Sequence, residues 1–593
     1  LADTNVVQLG TSQIPTVVTP PNGNSDLVIG LSDINYRALS SFEGGAPYQD
    51  VYILNVCDGS NKLVTKELKS YVRVSPEGKY AYWFDNMDSA WHTLSLSSGE
   101  SFKVVNNRLI SFWDEQNDVP DFPDPYGVMA WSKDDRHIFI YDRYDIWMCD
   151  PENKIKPIKI TKNGRETNTV FRYVDLDKED EAIVDLEDIL LHSYNEKTRE
   201  EGFYELNLMQ DLGPEKLFTD NFRFNFIDKA NDSEKILFTR QSFKEFPNLY
   251  YSDRYFKQIE KISDANPQQS DYLWGTAEVV KWKAFDGQIL EGLLYKPENF
   301  DSTKAYPMIA YFYERMSANL HQHIPPLATV ASIRASFYTS NDYVVFMPDI
   351  PYIIGYPGKS AYNAVVSGVK HLIKEGIADS AKIGIQGHSW GGYQAAYLIT
   401  ATDMFTAAVA GAPVTNMTSA YGGIRWGTGM SRMFQYEKTQ SRIGGTLWDK
   451  PELYLENSPL FSAHKIKTPL LMMHNDHDGA VPWQQGIEFF MALRRLDKPV
   501  WMLNYNGEYH GLTQRKNQKD YTIRMKQFFD HYLKGTLPPE WMFYGIPAME
   551  KGIKLRYDLV DQDEVDEERK GDDSNSRSST GTNQSSKLGN QQQ

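Results

Sequence analysis

Between Lys382 and Thr400 the chain reads KIGIQGHSWGGYQAAYLIT: an alternating apolar run, a serine among glycines, then a helix-compatible run. No other stretch constrains the fold so narrowly. A strand that turns straight into a helix at Gly387-His388-Ser389-Trp390-Gly391 reverses its backbone within a few residues, and side chains at the glycine positions would clash there. Such a turn lifts Ser389 above the carboxyl end of its strand, where α/β sheets place their ligands. The amide of Trp390 then faces a developing oxyanion. A serine that merely capped a helix would explain neither the additional Gly392 nor the apolar runs on both sides.

A serine hydroxyl is a poor nucleophile until a base takes its proton. In this strand–turn–helix setting an acid and a base follow in the order Ser, Asp, His, at the ends of later strands. LLMMHNDHDGAVP (Leu470 to Pro482) runs from an apolar strand into an acidic loop with Asp476 and Asp478; Asp478, just before Val481-Pro482, is the preferred orienting acid. VWMLNYNGEYHGL (Val500 to Leu512) ends in a Gly-containing loop that presents His510 as the base. His474, Asp476, His477 and Asp478 would also suit zinc or manganese. No second His and carboxylate cluster accompanies them, so no metal or organic cofactor is expected. His371, His464 and His531 fall on helical stretches as surface or packing residues, and His388 reads as a shape-filling neighbour of the serine.

The pattern around these motifs is strand–helix alternation. A hairpin at Asp286-Gly287 joins two alternating strands. Strands are then expected at YPMIAYFY, YVVFMPDI, KIGIQG, FTAAVAGAP, PLLMMHND and VWMLNYN. Helices are expected at Ser360 to Gly376, GYQAAYLITATD, PWQQGIEFFMALRRLD and DYTIRMKQFFDHYLKG. That alternation predicts an α/β domain over 276–557, with a doubly wound, mostly parallel sheet covered on both faces.

Upstream, an Asp/Ser/Gly turn followed by an aromatic run recurs as SPEGKYAYWFD (Ser75 to Asp85), SKDDRHIFIYD (Ser132 to Asp142) and KANDSEKILFTR (Lys229 to Arg240). A degenerate copy lies near Asp177 to Asn195. A spacing on the order of 50 residues suits four-stranded propeller blades. The region 1–275 therefore reads as a β-propeller of four or five blades, with a β-sandwich as the competing arrangement. The first 50 or so residues carry no clear repeat. The chain opens without Met, basic n-region or h-region, which reads as the interior of a longer parent with blades upstream. Residues 558–593, acidic and then rich in Ser, Asn and Gln, are expected to be disordered.

The net charge of −17 and the lack of a basic stripe argue against a nucleic-acid surface. No apolar run reaches the roughly 18 residues of a membrane span. The two cysteines, Cys57 and Cys149, exclude a disulfide framework.

GHSWGGYQA (Gly387 to Ala395), SPLFSAHKIKTPLLMMHNDHDGAVP (Ser458 to Pro482) and GEYHG (Gly507 to Gly511) together resemble the prolyl oligopeptidase family of serine peptidases, an α/β-hydrolase domain behind an N-terminal propeller. GAPVTNMTSAYG (Gly411 to Gly422) looks most like its acylaminoacyl-peptidase and dipeptidyl-peptidase branches. The resemblance implies Ser389 as nucleophile, Asp478 as orienting acid and His510 as base. It also implies that Tyr313 is a second oxyanion donor beside the Trp390 amide, and it places a first substrate pocket at Asn416, Met417, Ala420 and Tyr421. The chain departs from the family pattern at Glu314-Arg315-Met316-Ser317, where many members are glycine-rich. The implied activity is hydrolysis of short peptides through an acyl-enzyme. An esterase acting on small acyl esters, or a non-catalytic scaffold, are the competing functions. A homodimer stays open as the assembly. Related chains with similar C-terminal segments are often exported by bacteria, so an extracytoplasmic location is implied.

Overall fold

The computed structural model describes residues 6–105, 110–177, 182–183 and 188–566. Up to Lys261 these form five successive sheets of short antiparallel strands. The first comprises Thr16–Val18, Leu27–Ser32, Tyr48–Asn55 and Asn61–Lys69. In the next four sheets the turn-and-aromatic repeat lands on the second strand each time: Tyr80–Asp85, Ile138–Tyr141, Ile189–Asn195 and Lys235–Gln241. The third sheet gains a fifth strand, Ala182–Ile183, parallel to Val128–Ser132. In the degenerate copy, residues 178–181 and 184–187 lie outside the described residues.

The absence of a repeat in the first 50 residues was misleading, because a full sheet begins there. Its second strand, LVIGLS, follows a Pro20–Gly23 turn as the others do but carries Val28, Ile29 and Leu31 in place of aromatics.

Side-chain alternation explains why these sheets stack. Ala81 and Trp83 face a core shared with the first sheet, whereas Tyr82 and Phe84 face Trp131, Ile138 and Ile140 of the third. Phe139 and Tyr141 turn to the fourth sheet, and Leu190 and Phe203 meet Phe224 and Phe238 of the fifth. Strands such as Tyr80–Asp85 and Ile138–Tyr141 are buried on both faces, and the sheets share a series of cores where a two-sheet sandwich would have one. Neighbouring sheets also interlock through polar atoms. The buried Asp135 accepts from Ser75 Oγ at 2.5 Å and from the amides of Glu77 and Lys79, both at 3.1 Å, so the turn of one repeat caps the turn before it.

From Thr276 a single eight-stranded sheet forms. Its order in space is Thr276–Lys283, Ile289–Lys296, Val344–Pro348, Tyr306–Tyr311, Ala378–His388, Ala407–Gly411, Leu470–Met473 and Val500–Leu503. The first hairpin closes through Lys283 opposite Ile289, and every pair from Val344–Pro348 onward is parallel. Met308, Val344, Phe346, Leu470 and Met472 pack on one face, and Ile309, Val345, Met347, Leu471 and Met473 on the other. Helices Trp390–Ala401 and Gln484–Arg495 cover the first face and Arg515–Lys534 the second. The helix expected at Ser360 starts earlier, at Pro357, and passes through a π-turn at Tyr362–Val366 before ending ahead of Gly376.

The polypeptide stays packed beyond residue 558. Val560 and Val565 are buried, and the Val560 amide bonds the Pro538 carbonyl, so 558–566 differ from the disorder their composition suggests. The remainder of that expected tail, 567–593, lies outside the described residues. Among the described residues no helix is long and apolar enough to cross a membrane. Both cysteines are free, Cys57 exposed and Cys149 buried.

Candidate active site

The turn after Ala378–His388 has the geometry its glycines demand. Ser389 sits at φ 59°, ψ −115°, a strained conformation for a residue with a side chain. A Cβ on Gly387 would lie 2.1 Å from the Gly391 carbonyl oxygen, across the turn itself. On Gly391 it would lie 2.5 Å from the Phe312 carbonyl oxygen, and on Gly392 2.3 Å from that of Gly411. The three glycines thus let the turn close and bring it against the strands on both sides. The Ser389 amide bonds the Gly411 carbonyl at 2.8 Å, and Tyr393 N bonds Ser389 O at 2.9 Å to start the helix.

Asp478 and His510 come from loops after the two adjacent strands Leu470–Met473 and Val500–Leu503. His510 Nδ1 lies 2.8 Å from Asp478 Oδ2, while Asp478 Oδ1 accepts the amides of Ala480 and Val481, both at 2.8 Å. Burial alone would raise the Asp478 carboxyl, but hydrogen bonds from His474 and His510 hold it well below the usual carboxylate range. An ionised acid facing Nδ1 keeps the proton there and leaves Nε2 as an acceptor. Ser389 and His510 line one cavity of about 370 Å³. No hydrogen bond joins them among the described residues; such bonds tighten in the substrate complex.

Two supports escaped the sequence reading. The buried His474, considered there only as a metal ligand, points Nε2 at the Val481 carbonyl at 3.2 Å and lies 3.5 Å from Asp478. Asp476 instead bonds Asn506 and the Gly507 amide, so the acidic loop does not converge on one point. Glu508 is fully buried and accepts from Thr513 N, Gln514 N and Asn517 Nδ2. It therefore caps the helix Arg515–Lys534 from outside, a helix that begins at Arg515 and not at Asp520, and fixes the loop that carries His510. His388 packs on His510 with ring centroids 4.7 Å apart; burial, then the charge on His510, push it down to about 3, so it stays neutral.

Across the cavity a chain of side chains orients Tyr313. Arg425 Nη1 donates to Gln435 Oε1, Gln435 Nε2 to Gln440 Oε1, and Gln440 Nε2 to Tyr313 Oη, each at 3.0 Å. An arginine can only donate, so every amide in the chain has a forced orientation. Tyr313 Oη is left accepting, with its own proton free to point elsewhere. Its backbone oxygen accepts from Tyr352 Oη at 2.8 Å and Gln394 Nε2 at 3.1 Å. Tyr352 in turn is held by Asp118, from the segment between the second and third sheets: Tyr352 N bonds Asp118 Oδ2 at 3.1 Å, and Arg442 bridges Asp118 at 2.7 Å while lying over the Tyr352 ring. The sheet-repeat region thus buttresses the wall that holds Tyr313. The atypical segment after Tyr313 is pinned as well, with the amides of Met316 and Ser317 donating to Asp349 and Glu314 paired with Arg442.

A profile of the Prolyl oligopeptidase family matches residues 352–536, the stretch that contains Ser389, Asp478 and His510. That segment, 352–536, is a prolyl oligopeptidase family segment. It is 27% identical over 315 residues to an Arabidopsis thaliana protein named probable glutamyl endopeptidase, chloroplastic, covering 49% of this chain and 30% of that one. Dipeptidyl-peptidase 5 of Porphyromonas gingivalis is 24% identical over 340 residues, covering 52% of this chain and 46% of that one. The matches thus span less than half the length of these curated relatives. The crystal structure of Porphyromonas gingivalis dipeptidyl peptidase 4 superposes with a TM-score of 0.60 at 16% identity, over 82% of this chain and 67% of that chain, which shows the shared fold.

Within this prolyl oligopeptidase frame the expected first pocket is displaced. Met417, Ala420 and Tyr421 are buried in the core of the α/β domain, and the Tyr421 hydroxyl bonds Glu437 at 2.6 Å. Asn416 caps the helix Met417–Tyr421 and bonds Glu488 at 2.7 Å. None of the four lines the cavity beside Ser389. Arg425, Arg432, Phe434, Thr439 and Gln440 do, with Ala480 and Val481. The segment IRWGTGMSRMFQYEKTQ has no spacing rule that marks it; its only signal is two arginines in an acidic chain.

Proposed function

We propose that this chain is a serine peptidase that cleaves short peptides through an acyl-enzyme on Ser389. The observation that carries the reading is the 2.8 Å contact between His510 and a buried, ionised Asp478, with His510 open to the cavity of Ser389. Ser389 Oγ attacks the scissile carbonyl carbon and passes its proton to His510 Nε2. The Trp390 amide and the Tyr313 hydroxyl receive the oxyanion, the latter free to donate because Gln440 occupies its acceptor side. His510 then protonates the departing amine, and water attacks the ester by the same route in reverse. The buttress from Asp118 sets the sheet-repeat region close to the cavity, which favours small substrates over folded proteins.

An esterase would use the same trio, so a substrate panel separates the two. Blocked peptides of two to ten residues are expected to be turned over, with rates falling as folded proteins replace them. Hydrolysis of acyl esters with no peptide cleaved at any length would replace the peptidase reading by the esterase one. For Tyr313→Phe, kcat is expected to fall by about 10²–10³-fold, the usual loss for one oxyanion donor, with little change in KM. A kcat equal to wild type would leave the oxyanion to the Trp390 amide and return Tyr313 to a packing role.

A further inference from the structure

The cavity beside Ser389 holds two guanidinium groups and no acid to balance them. Arg432 is fully buried, donates Nη1 to the Ala480 carbonyl and Nη2 to Tyr436 Oη, and leaves Nε without a partner. Arg425, half-buried, is bonded to the neutral Gln435. Among the described residues neither forms an ion pair, whereas the buried arginines elsewhere do: Arg442 with Asp118 and Glu314, Arg524 with Asp520, Arg199 with Glu291. Asp478, whose charge reaches Arg425, has its two oxygens taken by His510, Ala480 N and Val481 N. Two like charges brought together in one small pocket, one of them removed from water, cost free energy that a bound anion would recover.

We propose that Arg425 and Arg432 form a carboxylate-binding subsite next to the nucleophile, which selects substrates carrying a carboxylate within a residue of the scissile bond. The proposal rests on the peptidase reading above. Guanidinium groups hold carboxylates through paired N–H donors, and the unpartnered Arg432 Nε is such a donor. Phe434 and Val481 offer an apolar wall for a methylene stem. Burial, and then the charge of Arg432, make the protonated state of Arg425 harder to hold, and a carboxylate between them would reverse that. The carboxylate can belong to an acidic side chain on the residue whose carbonyl is attacked, or to a free C-terminus just beyond the bond.

The test compares four matched peptides: Glu, Gln or Lys before the scissile bond with an amidated C-terminus, and the Gln peptide with a free carboxylate one residue past it. In the wild type, kcat/KM for one of the two acidic peptides should exceed that for the amidated Gln peptide by about 10- to 100-fold, and which of the two does so identifies the source. Arg425→Gln should collapse this ratio toward one, and Arg425→Glu should favour the Lys peptide. Loss of the Arg425 chain to Tyr313 would lower all rates together and leave the ratio intact, which would overturn the subsite. Equal wild-type rates for acidic and neutral peptides would overturn it too. A separate arm holds even if no peptide is turned over: N-acetylglutamate α-amide, with its side-chain carboxylate, should slow fluorophosphonate labelling of Ser389 in the wild type more than the carboxylate-free N-acetylglutamine α-amide does, and equally slow labelling with both would count against the subsite.

Discussion

Replacing Ser389 by alanine is expected to lower kcat for peptide hydrolysis by about 10⁶-fold and to abolish fluorophosphonate labelling, with the fold unchanged. The hydroxyl lines the cavity and has no hydrogen-bond partner among the described residues, so its loss removes the nucleophile and no structural contact. Alanine keeps the Cβ that makes φ 59° unfavourable; Ser389→Gly removes it. The glycine variant is therefore expected to be as inactive as the alanine variant yet more thermostable than it, because the cost of this conformation, about 1–3 kcal/mol, is relieved. Labelling of Ser389→Ala at the wild-type rate would place the nucleophile elsewhere. Equal melting temperatures for the two variants would mean that the turn stores no strain.

Asp478→Asn should lower kcat by about 10⁴-fold. The local hydrogen bonds give the reason. Asp478 Oδ1 accepts two backbone amides, so an asparagine must keep its oxygen there and turn its NH₂ toward His510. Nδ1 would then have to accept, its proton would move to Nε2, and the base would be blocked where it must receive the Ser389 proton. The same substitution changes the pH dependence of stability. A carboxyl held below its unfolded value stabilises the fold above about pH 4 and loses that contribution as pH falls further. Between pH 5 and 3 the melting temperature of the wild type should fall more steeply than that of Asp478→Asn. Parallel curves, or wild-type turnover in the variant, would show that Asp478 neither orients the base nor carries the linkage.

The parts of this molecule legible in the sequence are those set by short-range geometry. A serine turn that needs Gly387, Gly391 and Gly392 announces itself because no other residue fits between carbonyl oxygens 2.1–2.5 Å from the would-be Cβ. The loops of Asp478 and His510 stand at the ends of apolar strands whose period and length are local properties. The repeats were found where aromatics mark them and overlooked in the first sheet, where aliphatic side chains fill the same faces.

Hydrophobic period, turn chemistry and the order of serine, acid and base along the chain were sufficient to determine the sheet class and to single out Ser389, Asp478 and His510 as the candidate trio, since each depends on neighbours a few residues away. Tertiary structure alone decided what surrounds them. Asn416, Met417, Ala420 and Tyr421 looked like pocket residues and became core or cap, while Arg425, Arg432 and Gln440 turned inward. Asp118 reaches Arg442 across 324 residues of chain. Whether a polar side chain faces a cavity or a core depends on which distant segments supply its partners, and packing sets that at long range where no local periodicity records it.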